Sequence, residues 1–170
     1  TLEPTDDPCP VPDGAGPLVM VAPSTAATGE QNLAEVAVDG LRGAGVRLAV
    51  SGLNPPAFGE PWVASGFGRQ DELVARADAV VCGGGHGMLT KALTAGKPVV
   101  VVPGGGDQWE LANRVARQGS GVLVRPATAD AIRDGVRRVL DDPSYARAAR
   151  SAADGAHRVA DPVLVCEAYR

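Results

Sequence analysis

The chain has 170 residues, 45% hydrophobic and 21% charged, which allows one domain, or one plus a tail, with a sizeable core. A net charge of -4 and a pI near 5.1 give no basic footprint, so nucleic acid and anionic membrane surfaces are not expected partners. No stretch approaches the roughly 18 apolar residues that span a bilayer, and nothing at the start resembles a signal peptide. Cys9, Cys82 and Cys166 are too widely spaced for a disulfide frame or zinc site and fit a reducing cytoplasm.

Thr1–Pro17, with prolines at 4, 8, 10, 12 and 17, cannot form a helix and reads as a linker. Leu18–Ala22 is the first strand, followed by the polar loop Pro23–Gly29. Thr28 and Gln31 form a capping box for a helix with Leu33, Val36, Ala37, Gly40 and Leu41 at helical spacing, ending around Gly43–Gly45. Val46–Val50 is a second strand, Gly52–Pro61 a Pro/Gly loop and Trp62–Ser65 a short third strand. Gln70–Ala77 is a brief helix burying Leu73, Val74 and Ala77.

Ala79–Cys82, Pro98–Val102 and Gly121–Val124 bring the total to about six strands. Strands alternating with helices predict an α/β, Rossmann-like three-layer domain with a mostly parallel sheet and right-handed crossovers. The last third is helical. Asp107 with Glu110 is an acidic capping pair, Thr128 caps a helix carrying Ile132, Val136, Val139 and Leu140, and Asp142-Pro143 and Asp161-Pro162 start helices near 143–159 and 162–169.

Two glycine-rich turns follow adjacent strands and carry the candidate chemistry. In Cys82-Gly-Gly-Gly-His-Gly-Met88, absent Cβ atoms let a ligand approach the backbone, and free N–H groups at a helix start favour an anion such as phosphate. Close packing of strand on helix is the plainer use of such glycines. A dinucleotide fingerprint is not met, because Met88 stands where the third glycine belongs and no acidic residue ends a strand about 20 positions on. Lys91 reads as lying in the first helical turn, where the macrodipole opposes a cation unless an anion is bound. His86 either meets that anion or is structural, and Cys82 is an inert small hydrophobe. In Pro103-Gly-Gly-Gly-Asp-Gln108, Asp107 either caps the next helix or, with Gln108, hydrogen-bonds sugar hydroxyls; both roles can coexist.

Phe67-x-x-Gln70, Cys82–Gly87, Gly96-x-Pro98, Asp107-Gln108 and Asn113 together resemble the donor-binding signature of GT-B nucleotide-sugar glycosyltransferases. The likeness is to bacterial macrolide and antibiotic glycosyltransferases and UDP-glucuronosyltransferases, and it runs from about Leu18 to about Leu140. It implies the C-terminal half of a two-domain enzyme: linker at 1–17, donor-binding domain at 18–141, and terminal helices at 142–170 returning toward an N-terminal acceptor-binding domain. By the same resemblance Phe67 stacks near the nucleobase and Gln70 lies beside base and ribose. Gly84, Gly85, His86, Gly87 and Met88 present amides to the pyrophosphate, Ser24 or Thr25 reaches it from the first loop, and Asp107 and Gln108 grip the sugar. It implies a UDP- or dTDP-sugar as donor and no cofactor or metal.

Three positions depart from that pattern. The family carries His at Gly83, Ser or Thr at Met88 and an acidic residue at Lys91, contacting β-phosphate, α-phosphate and ribose respectively. His86 and Lys91 are expected to compensate with cationic groups. The general base, a His held by an Asp in the N-terminal domain, has no counterpart among the chain's only histidines, His86 and His157. The chain is therefore expected to be inactive alone. The alternative is a non-catalytic nucleotide-sugar sensor or the partner subunit of a split glycosyltransferase.

Overall fold

The computed structural model describes residues 7–24, 32–159 and 166–167. Short, almost wholly apolar runs form the sheet, since a strand covered on both faces has no solvent side on which to place polar residues. They are β1 (Leu18–Ala22), β2 (Arg47–Ser51), β3 (Val63–Gly66), β4 (Ala79–Cys82), β5 (Val99–Val101) and β6 (Gly121–Leu123). Every pairing is parallel and the order is β3-β2-β1-β4-β5-β6. From β1 the chain winds outward to β3, then returns to β4 and continues the other way. The crevice beyond the carboxyl ends of β1 and β4, where Ala22 is in register with Cys82, is therefore the topological switch point.

Alternate strand residues feed two cores. Val19, Val21, Leu48, Val81 and Val100 face α1 (Leu33–Leu41) and α5 (Ala129–Asp141), whose Ile132 and Val136 are fully buried. Leu18, Met20, Val80, Cys82 and Val101 face α2 (Gln70–Arg76), α3 (His86–Thr94) and α4 (Gln108–Gln118), which contribute Leu73, Leu89 and Val115. Each such side chain contributes about 1.5–3 kcal/mol of burial. The last helix, α6 (Pro143–His157), packs on α3 and α5.

Expected caps form at Thr128, whose Oγ1 accepts from Ala131 N at 3.3 Å, and at Asp142, whose Oδ1 accepts from Ser144 N at 2.8 Å. The first helix stops at Leu41, short of Gly43. The proposed Thr28–Gln31 capping box lies outside the described residues; of the helix begun by Asp161-Pro162 only Cys166 and Glu167 are described, and both are helical.

The described part of the proline-rich segment is seated on the domain. Pro8 pairs in parallel with Arg69, Arg69 N donates to Asp7 O at 3.0 Å, and Arg47 donates to the carbonyls of Gly16 and Pro12. Gly68 is what admits it, because a Cβ there would stand 2.5 Å from Cys9 N. Cys9 is thereby buried against the end of β2.

Candidate functional site

The first glycine turn divides its glycines between two duties. Gly84 adopts φ +87°, and a Cβ on it would lie 2.8 Å from Val101 Cγ1, so the main chain closes tightly over β5. Gly85 and Gly87 have no neighbour within 4 Å of an added Cβ and face open space. A cleft of about 240 Å3 lies there, lined by Ser24, Gln70, Gly83, Gly85, Gly87, Met88 and Lys91 over the strand ends Ala22 and Cys82. Gly85 is the N-cap of α3 and offers no side-chain acceptor, so the amides of the first helical turn are left to an outside partner. Beneath them Cys82 is buried, which pushes its thiol up to about 11 and keeps it protonated, as expected of an inert residue.

Lys91 corrects the sequence reading. Extended Gly85 (φ -64°, ψ 145°) lets His86 and Gly87 enter α3 as its first residues, so Lys91 falls in the last turn, where the macrodipole favours a cation. Its ammonium reaches across to α2 and donates to Gln70 Oε1 at 3.1 Å, while Gln70 Nε2 donates to Ser51 Oγ at 3.1 Å.

Asp107 also departs from expectation. It is the N-cap of α4 by position but has helical dihedrals and makes no side-chain cap hydrogen bond. Glu110 cannot reach back to complete a capping box because Arg114 and Arg117, one and two turns on, both donate to its Oε1. Their charges and hydrogen bonds hold that carboxyl below the usual range. Asp107 Oδ2 instead lies 3.2 Å from His86 Nδ1, joining the heads of α3 and α4 through side chains that are both about 70% exposed.

Gln108 is turned inward and only 4% exposed. Its Oε1 accepts from Gly104 N at 2.9 Å and its Nε2 donates to Ser24 Oγ at 3.4 Å, so it braces its own turn and ties that turn to the β1 loop. Gly83 lies close to the same serine: a Cβ there would come within 3.2 Å of Ser24 Cβ.

Of the predicted site residues, Ser24, Gln70, Gly85, Gly87, Met88 and Lys91 line one cleft, Gly84 packs against Val101 and Gln108, and His86 and Asp107 meet each other. Phe67 is exposed on the turn between β3 and α2 and is not among the cleft-lining residues. Thr25 lies outside the described residues. Gly83, which the resemblance put at the β-phosphate position, also lines the cleft, whereas Ser51 was missed; its position at the carboxyl end of a strand beside β1 was the available signal.

Among the described residues no group of three or more His, Cys, Asp or Glu side chains could hold a metal ion, and no helix is long and apolar enough to cross a membrane. Residues 68–168 match the sequence model of the erythromycin biosynthesis protein CIII-like C-terminal domain. The chain is 34% identical over 139 residues to 4'-demethylrebeccamycin synthase of Lentzea aerocolonigenes, covering 78% of this chain and 33% of that protein. It is 37% identical over 101 residues to 3-alpha-mycarosylerythronolide B desosaminyl transferase of Saccharopolyspora erythraea, covering 58% of this chain and 22% of the relative. Spinosyn rhamnosyltransferase SpnG complexed with thymidine diphosphate superposes with a TM-score of 0.74 at 21% identity, over 91% of this chain and 45% of that one. The chain thus spans a third or less of these curated relatives, and the structural likeness speaks for the fold.

Proposed function

This chain belongs to the EryCIII-like C-terminal domain family, and from that premise we propose that it is the donor-binding half of a glycosyltransferase moving a hexose from a UDP- or dTDP-sugar to an acceptor hydroxyl. The observation that carries the proposal is the cleft at the β1–β4 switch point, floored by open glycines and headed by the uncapped amides of α3. The amides of His86, Gly87 and Met88 receive the pyrophosphate, with Ser24 opposite and Lys91 supplying positive charge. Phe67 keeps the contact with the nucleobase that the family pattern assigns it.

Asp107 meets the sugar hydroxyls directly, and Gln108 keeps the turn beneath them in place. The acceptor oxygen attacks the anomeric carbon, the bond from that carbon to the phosphate oxygen breaks, and the nucleoside diphosphate leaves with the electron pair. Preorganised amides and a nearby ammonium stabilise the charge that develops on the leaving oxygen. The acceptor's proton goes to a base on an N-terminal acceptor-binding domain, so the chain alone does not turn over. No metal or cofactor takes part, and the unpaired cysteines suit the cytoplasm.

Isothermal titration of the chain with UDP and dTDP is the test. Saturable binding of either supports the site, and no heat at millimolar ligand removes it. Gly83 and Met88, in place of side chains that donate to phosphate, favour a second reading as a non-catalytic sensor or partner subunit. Donor hydrolysis or transfer on adding the missing domain separates the two.

A further inference from the structure

Ser51 is one of the few buried polar side chains among the described residues, 2% exposed at the carboxyl end of β2, and the reaction proposed above does not use it. Its hydroxyl sits at the inner end of a line of contacts that ends in the cleft. Lys91 Nζ donates to Gln70 Oε1, Gln70 Nε2 donates to Ser51 Oγ, and Cys9 Sγ lies 3.5 Å from the same Oγ. Four chain segments, α3, α2, β2 and the proline-rich strap, contribute one residue each.

The polarity of this line is determined by chemistry. An ammonium has only hydrogens to offer, so Gln70 must turn its carbonyl oxygen toward Lys91 and its amino group toward Ser51. Ser51 then accepts, and the buried sulfur of Cys9 is the neighbour left for its remaining bonding capacity. Gln70 is only half-buried, and its amide would rotate freely without that inner anchor. A lysine with four rotatable carbons loses much rotamer freedom when held, so a fixed acceptor is what makes its location in the cleft definite.

We propose that Ser51 is a positioning residue for the cleft, acting through Gln70 to hold the Lys91 ammonium where a nucleoside diphosphate binds. The inference rests on the donor-site reading of that cleft. It makes the strap a fourth wall of the arrangement, since Cys9 backs Ser51 only while Pro8 and Arg69 stay paired.

The test is a double-mutant cycle in this chain, with Kd for UDP and dTDP from calorimetry and the melting temperature recorded for each variant. Ser51→Ala is expected to weaken nucleoside diphosphate binding about 5-fold and Lys91→Met about 10-fold, with the double variant no weaker than Lys91→Met alone. A serine that merely supports the fold would lower the melting temperature but give losses that multiply, and that result overturns the proposal. If Ser51→Ala does not fold, Ser51→Cys, close in shape but a weak acceptor, takes its place with the same expected coupling. Unchanged affinity in a folded Ser51 variant overturns this inference and leaves the donor site standing. Failure of the unmodified chain to bind either diphosphate overturns both.

Discussion

The two glycine turns occupy the ends of neighbouring strands and share a composition, yet they are held in opposite ways. In the turn after β4 the main chain sets the shape: Gly84 is pressed on Val101 in a left-handed conformation, and the open glycines follow from that placement. In the turn after β5 a side chain does so. Gly106 also has positive φ but nothing within 4 Å of an added Cβ, and the loop is held by the Gln108 carboxamide on Gly104 N. A cradle built from backbone sterics tolerates little change anywhere along it, whereas one braced by a single amide depends on that residue alone.

The sharpest way to break this contrast is to add the same methyl group to both turns. Gly84→Ala combines left-handed strain with an overpacked contact and is expected to cost about 2–4 kcal/mol, whereas Gly106→Ala pays the strain alone, about 1 kcal/mol. Urea denaturation midpoints measure both, and equal losses would mean that the turns are supported alike. The floor of the first turn adds a pH dependence. Burial raises the Cys82 thiol from 9.0 to about 11, so the folded state holds that proton more tightly than the unfolded chain. Its contribution is complete below pH 9 and disappears as pH rises from 9 to 11, a loss of about 3 kcal/mol. Because other groups titrate in that window, the measurement is the difference between the unmodified chain and Cys82→Ala, whose stability is expected to fall less steeply.

Gln108→Ala removes the brace of the second turn and is expected to cost about 1–3 kcal/mol, leaving Gly104 N and Ser24 without their present partner. Sugar-nucleotide binding is expected to weaken along with stability. Weaker binding at unchanged stability would instead show that Gln108 acts on ligand alone.

These differences explain what could be read from sequence. Every strand was found within a residue or so because an apolar run with turn residues at both ends has few other uses in a chain of this composition. The alternation of strands and helices implied a parallel sheet with the glycine turns at the carboxyl ends of its strands, whereas the strand order that makes β1 and β4 the switch point is visible only in the fold. What escaped was set by partners distant in sequence. Gln108 and Ser24 are 84 residues apart, so nothing local distinguishes a glutamine that braces a loop from one that meets a ligand. Lys91 was misplaced because a glycine N-cap leaves no side-chain signal for the start of α3. Asp107 with Glu110 has the spacing of a capping pair, but the arginines at 114 and 117 claim the glutamate first. The prolines marked the first segment as extended without showing that Gly68 leaves it a seat on the domain.

Asp107 offers the smallest effect on stability and the cleanest separation from its neighbour. Its pair with His86 is exposed on both sides, and such pairs are worth little, so Asp107→Asn is expected to change folding stability by less than about 0.5 kcal/mol. If the carboxylate meets sugar hydroxyls, the same variant should weaken a UDP- or dTDP-sugar about 10-fold while free UDP or dTDP binds as before, because only the sugar loses a charged acceptor. Calorimetric titration of both ligands against the variant reads this difference directly. A stability loss above 1 kcal/mol would make Asp107 a structural member of the turn like Gln108. Equal weakening of sugar-nucleotide and free diphosphate would move its action to the phosphate end, through His86.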